Sequence, residues 1–176
     1  MKNATALLLC SALGLAGCAG HQGHHTMALS EPGQDAFAAI AEVVAHLRAD
    51  DGTAWDRVDI DALRAHLLDM HRVTLLADAR TARQADAVVF TVTGTGDTVA
   101  AIQRMTRAHA HTVATDTPWT MRSEPREDGA EVVVRAPDDA ALDDVVALGF
   151  FGVMSVGGHH QAHHLAIATG SDPHAH

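Results

Sequence analysis

Of the 176 residues in this chain 14 are histidines, against 2 cysteines, 6 methionines and no tyrosine. The densest run is Gly158-His159-His160-Gln161-Ala162-His163-His164-Leu165. On a helix His159 and His163 are i,i+4 neighbours, as are His160 and His164, and about 100° of rotation per residue keeps all four within an arc of roughly 140°. Ring nitrogens at that spacing can reach one shared cation. The doubled pair predicts a metal site with His160, His163 and His164 as first ligands and His159 beside them. The competing reading is a polar helix face, because a histidine-rich tract is in itself only a compositional signal.

A second group is Met105-Thr106-Arg107-Ala108-His109-Ala110-His111. Met105 and His109 fall in an apolar stripe with Val99, Ile102 and Val113, whereas His111 falls on the opposite, solvent-facing side. A thioether beside an imidazole is the soft donor set that copper(I) accepts, so Met105 and His109 join the ligand candidates. Met154 joins them if the backbone bends near Gly152. The bland alternative for His109 is a core histidine bonded to a backbone carbonyl. His66 and Met70 form a third i,i+4 pair, with His71 adjacent. Met70 continues an apolar stripe, which favours a structural role for that pair. His46 is expected at the surface.

These groups must be carried by a folded domain, and the first stretch is not part of it. Residues 1–17 have the parts of a targeting segment: Lys2 gives the positive start, an apolar run follows, and Leu15-Ala16-Gly17-Cys18 supplies the cleavage site. The apolar run is too short to span a bilayer. Leu15-Ala16-Gly17-Cys18 resembles the lipobox of bacterial lipoproteins, a resemblance confined to the leader. It implies that Cys18 becomes the lipidated first residue of the mature chain, anchored in the cell envelope. Ala19 in the next position, where an aspartate would retain the protein, implies the outer membrane, facing the periplasm. Cys10 leaves with the leader and lipid takes Cys18, so no thiol remains for disulfides, metal or nucleophilic catalysis. Any metal must then be held by imidazole, thioether or carboxylate.

Several functions are disfavoured. The formal net charge is −10, and nucleic-acid binding needs a basic face. There is no His-Glu-x-x-His helix and no Gly-x-Ser-x-Gly elbow. Gly94-Thr95-Gly96 has Val99 where a dinucleotide loop needs its third glycine. Nothing assembles a nucleophile, base and oxyanion site, and an enzyme is not expected.

The elements follow from periodicity. Residues 18–33, rich in glycine and polar residues, form a tether, residues 34–170 a single domain, and residues 171–176 a tail. Phe37, Ile40, Val44 and Leu47 mark a first helix. Asp59 caps a second, with Ile60, Leu63, Leu67 and Met70 on its apolar side. Residues 73–80 and 87–93 are β-prone, and the Val99 to Val113 stripe makes a third helix. Residues 119–126 and 130–136 are strands about an Asp128-Gly129 turn, followed by a helix bearing Leu142, Val145, Val146 and Gly149. Residues 87–105 superpose on 130–148 without a gap, which predicts a duplicated β-β-α unit. The fold class is α+β: N-terminal helices, then a four-stranded antiparallel sheet with helices on one face, then a histidine-rich C-terminal helix.

The leading expectation is a lipid-anchored cell-envelope protein that binds a transition metal through histidine and methionine for sequestration, delivery or sensing. Copper is favoured, with zinc as the other candidate. Its partners would be the membrane through Cys18, the metal ion and an envelope protein, and no nucleic acid. The alternative is a structural or interaction lipoprotein with a solvated or pH-responsive histidine face, since imidazole changes charge between about pH 5 and 8.

Overall fold

The computed structural model describes residues 36–157 and 160–171. In chain order these form α1 (Ala36–Ala49), a 3-10 turn (Trp55–Arg57), α2 (Ile60–Leu76), β1 (Asp78–Arg83), β2 (Val88–Thr93), α3 (Asp97–Asp116), β3 (Thr120–Arg126), β4 (Gly129–Arg135), α4 (Asp139–Val153) and α5 (His160–Ala168). The class is α+β, with N-terminal helices and one four-stranded antiparallel sheet in the order β1-β2-β4-β3. The leader, the tether, His159 and the residues after Ser171 lie outside the described residues.

Alternation decides which strands are central. In β2, Val88, Phe90 and Val92 are fully buried, and in β4 so are Ala130, Val132 and Val134. A period of two puts each set on one face of the sheet, where α3 covers β3 and β4 and α4 covers β1 and β2. The edge strands are mostly exposed and charged, Asp-Ala-Arg-Thr-Ala-Arg in β1 and Thr-Met-Arg-Ser-Glu-Pro-Arg in β3. Charge and a proline on an edge discourage pairing with a further strand.

A second, smaller core lies among α1, α2 and α5. It gathers Val43, Leu47, Leu63, Leu67 and Ala168, with Leu165 and Met70 packed against it. Each fully buried aliphatic side chain there contributes roughly 1.5–3 kcal/mol. Helix α2 belongs to both cores, because Val73 near its end is buried in the main one.

Three expectations need correction. Residues 73–76 continue α2 instead of starting a strand. Val73 extends the buried side of the helix, and the Thr74 hydroxyl donates to the Met70 carbonyl at 2.7 Å, so a β-branched residue is accommodated in the helix. In α1 the buried positions are Val43 and Leu47, while Phe37 is 82% exposed at the helix start. Gly129 is the first residue of β4, paired with Arg126, and the two-residue turn is Glu127-Asp128.

The position of Gly129 has a backbone reason. Its φ is +155°, and a Cβ there would stand 2.0 Å from the Val92 carbonyl oxygen of the adjacent strand. Only glycine permits that approach. Gly129→Ala should therefore lower the unfolding free energy by about 2–3 kcal/mol in denaturant titration. A loss below about 0.5 kcal/mol, typical of an unconstrained surface site, would contradict the strand contact.

Candidate functional site

Four side chains with donor atoms meet where α5 packs on α2. From α2 come His66 and Met70, one turn apart, and from α5 come His163 and His164. The His66 ring centroid lies 4.8 Å from that of His163 and 5.5 Å from that of His164. The His163 and His164 centroids are 6.4 Å apart. All three pairs are inclined rather than stacked, with interplanar angles of 55° to 68°. His164 Nε2 lies 3.4 Å from Met70 Sδ. His164 is buried, while His66, Met70 and His163 are half-buried.

Local structure sets this meeting. The Asp59 carboxylate accepts from the Ala62 N–H at 2.8 Å and starts α2. The Asp59 N–H donates to the Ala168 carbonyl at 2.7 Å, tying the end of α5 to the start of α2. Beyond Ala168 the chain turns at Gly170, whose φ is +69°. Gly170 N–H donates to Ile167 O at 3.0 Å and Ser171 N–H to Ala166 O at 2.9 Å, the paired bonds of a Schellman cap. A Cβ on Gly170 would stand 2.9 Å from the Arg57 carbonyl oxygen, so this turn also fits closely against the residues before α2.

The donor set suits a soft or borderline metal. With metal–nitrogen bonds of about 2.0–2.1 Å, imidazoles around one tetrahedral ion have ring centroids roughly 5 Å apart, and a sulfur at about 2.3 Å lies roughly 3.5 Å from a ligand nitrogen. The separations of His66 from His163 and His164 and the contact of His164 with Met70 are of that size, and the His163–His164 separation of 6.4 Å is longer. Among the described residues, however, no three or more His, Cys, Asp or Glu side chains hold their donor atoms in a ligating arrangement. Binding at this seam requires the rings to turn about their side-chain torsions, and His164 must give up its contact with Met70 Sδ to a metal between the two atoms.

The other candidates are distributed differently. His109 turns to α4, where its Nε2 lies 3.0 Å from the Val153 carbonyl oxygen. Met105 and Met154 are half-buried against the main core. His111 and His46 are exposed, as their helical positions predicted. His160 is the first residue of α5, and His159 lies outside the described residues. His66 and Met70, which the stripe argument assigned to a structural role, are the residues that α5 meets. Their i,i+4 spacing was the available signal.

Beside the cluster, α2 is fixed to α3 by a nearly buried carboxylate. Asp69, 8% exposed, accepts from Arg104 Nε at 2.7 Å and Nη2 at 2.9 Å and lies 3.4 Å from Arg72 Nη1. The hydrogen bond to Asp69 raises the Arg104 pKa above the usual guanidinium value, burial opposes it, and attraction to Asp69 and Asp97 adds to it. Two-point Arg–carboxylate contact is directional as well as strong, so it sets how α2 sits on α3.

No protein-family model, curated protein or solved structure matches the chain. Among the described residues no helix is long and apolar enough to cross a membrane.

The contact of His109 gives a prediction for that residue. His109→Ala leaves the Val153 carbonyl without its ring partner and should destabilise the domain by about 1–3 kcal/mol, with metal affinity unchanged once folding is accounted for. Thermal unfolding paired with metal titration checks both halves. A loss of affinity without a loss of stability would make His109 a ligand instead.

Proposed function

We propose that the chain is a lipid-anchored envelope protein that binds a transition metal, copper in preference to zinc, at the seam of α2 and α5. The observation that carries this reading is the convergence of His66, His163, His164 and Met70 from two helices onto one small volume. Three imidazoles alone suit zinc or copper, and the thioether tilts the set toward copper(I), which accepts soft donors. His109, engaged with α4, and Met105 and Met154, packed into the main core, are not in the proposed first set. His160 stands one turn before His164 and extends the same run of the sequence.

A site between an interior helix and a short C-terminal helix suits sequestration, delivery or sensing. The ligands come from two elements remote in sequence, and metal bound to the docked form stabilises the docking. The reverse coupling lets a partner that displaces α5 release the ion.

Metal titration with a competing chelator tests the site. His66→Ala should weaken copper(I) binding at least about tenfold, roughly 1.4 kcal/mol. His71→Ala, at the exposed neighbour, should leave it unchanged. Met70→Leu should weaken copper(I) while leaving zinc(II) nearly as it was, because zinc gains little from a thioether. Equal affinities for the His66 and His71 variants would reject the seam as a site.

Anchoring rests on the leader. Cys18→Ala should move the protein from the membrane fraction to the soluble one, since lipid chains supply the binding. Intact-mass measurement of membrane-fraction protein should show added acyl mass on Cys18. An unmodified Cys18 in that fraction would contradict the anchor.

A further inference from the structure

An open groove of about 600 Å³ runs between α2 and α3 and reaches the end of α5. That size lies within the range of small-molecule sites, about 300–1,000 Å³. Its apolar part is made by Ala62 and Ala65 of α2, Met105 and Ala108 of α3, and Ile167 of α5. Small side chains from two facing helices leave the space that larger ones would fill.

The rim is polar and carries a guanidinium and an imidazole. Arg107 and His111 line the groove, one helical turn apart on α3, and both are exposed. Among the described residues neither side chain makes a hydrogen bond or an ion pair. The carboxylates that line the same groove are already engaged: Asp69 holds Arg104, itself on the groove, and Arg72, and Asp59 caps α2. In a chain with 22 acidic residues and a net charge of −10, a guanidinium and an imidazole beside an apolar floor form an uncommon juxtaposition.

We infer that this groove binds a small monocarboxylate carrying an apolar chain, with the carboxylate on Arg107 and His111 and the chain over Ala62, Ala65 and Ala108. The planar fork of an arginine matches a carboxylate in two-point contact. The alanine floor offers no donors, so a polar polyanion would leave its other charges unanswered there. The inference does not depend on the metal site, although His66 also lines the groove.

Calorimetric titration of the full chain without added metal tests it with three probes: octanoate, octanol and acetate. Octanoate should saturate one site, and octanol, lacking the charge, and acetate, lacking the chain, should each bind at least about tenfold more weakly. Arg107→Gln should weaken octanoate about tenfold or more. Ala108→Leu, which fills the floor, should abolish binding, and Arg48→Gln, on the exposed side of α1, should change nothing. A peptide ending in leucine with a free carboxylate, run beside its amide, identifies the source of the ligand. Binding of octanoate assigns a free acid, and binding of the peptide acid alone assigns a chain terminus. Octanol binding as well as octanoate, wild-type affinity in Arg107→Gln, or saturable binding of neither carboxylate would overturn the inference.

Discussion

The bond from the Asp59 N–H to the Ala168 carbonyl fixes where the histidines of two distant segments stand. Asp59 begins α2 with its side chain and receives the last carbonyl of α5 on its backbone, so one residue joins the start of one helix to the end of the other. From that joint both helices rise by about 1.5 Å per residue, α2 forward and α5 backward along the chain. His66 is then roughly 10 Å above it and His163 and His164 roughly 6–8 Å. They come to one level because the helices share a pivot. The Gly170 cap keeps α5 from continuing past it, and Leu165 and Ala168 supply the apolar contact that a bond of this kind cannot provide alone.

Helix α2 transmits this arrangement to the rest of the domain. One side packs with α1 and α5, the other lies on α3, and Val73 enters the main core. Asp69 is the fixed point on the α3 side. Removing a nearly buried carboxylate from its arginines leaves charge unsatisfied, which costs more than the pair contributes when intact. The same ion pair uses Arg104, leaving Arg107 as the guanidinium on the groove without a carboxylate. Cluster and groove therefore adjoin along one helix and share His66.

Local features were legible in the sequence. Asp59 reads as a cap because it stands immediately before the stripe of Ile60, Leu63, Leu67 and Met70, and residues 87–93 and 130–136 read as strands because they are β-prone runs set off by polar turns. The end of α2 was not legible. Val73 and Thr74 have strand-like side chains, and burial of Val73 against residues remote in sequence decides in favour of the helix. The site divides in the same way. His163 and His164, and separately His66 and Met70, are visible as groups within a helix. Their meeting spans 94 positions between His164 and Met70, and it depends on the topology that returns α5 to α2 after the whole sheet has been built. His109 shows the converse: its stripe correctly turned it inward, but no local pattern encodes the Val153 carbonyl it finds there.

X-ray absorption at the copper edge of the copper(I)-loaded chain tests most directly whether α2 and α5 together form a metal site. The predicted spectrum has nitrogen scatterers from imidazole near about 2.0 Å and one sulfur near about 2.3 Å, with the sulfur shell lost in Met70→Leu. A shell of nitrogen or oxygen alone, or a sulfur contribution that survives Met70→Leu, would contradict a site that joins Met70 to the imidazoles.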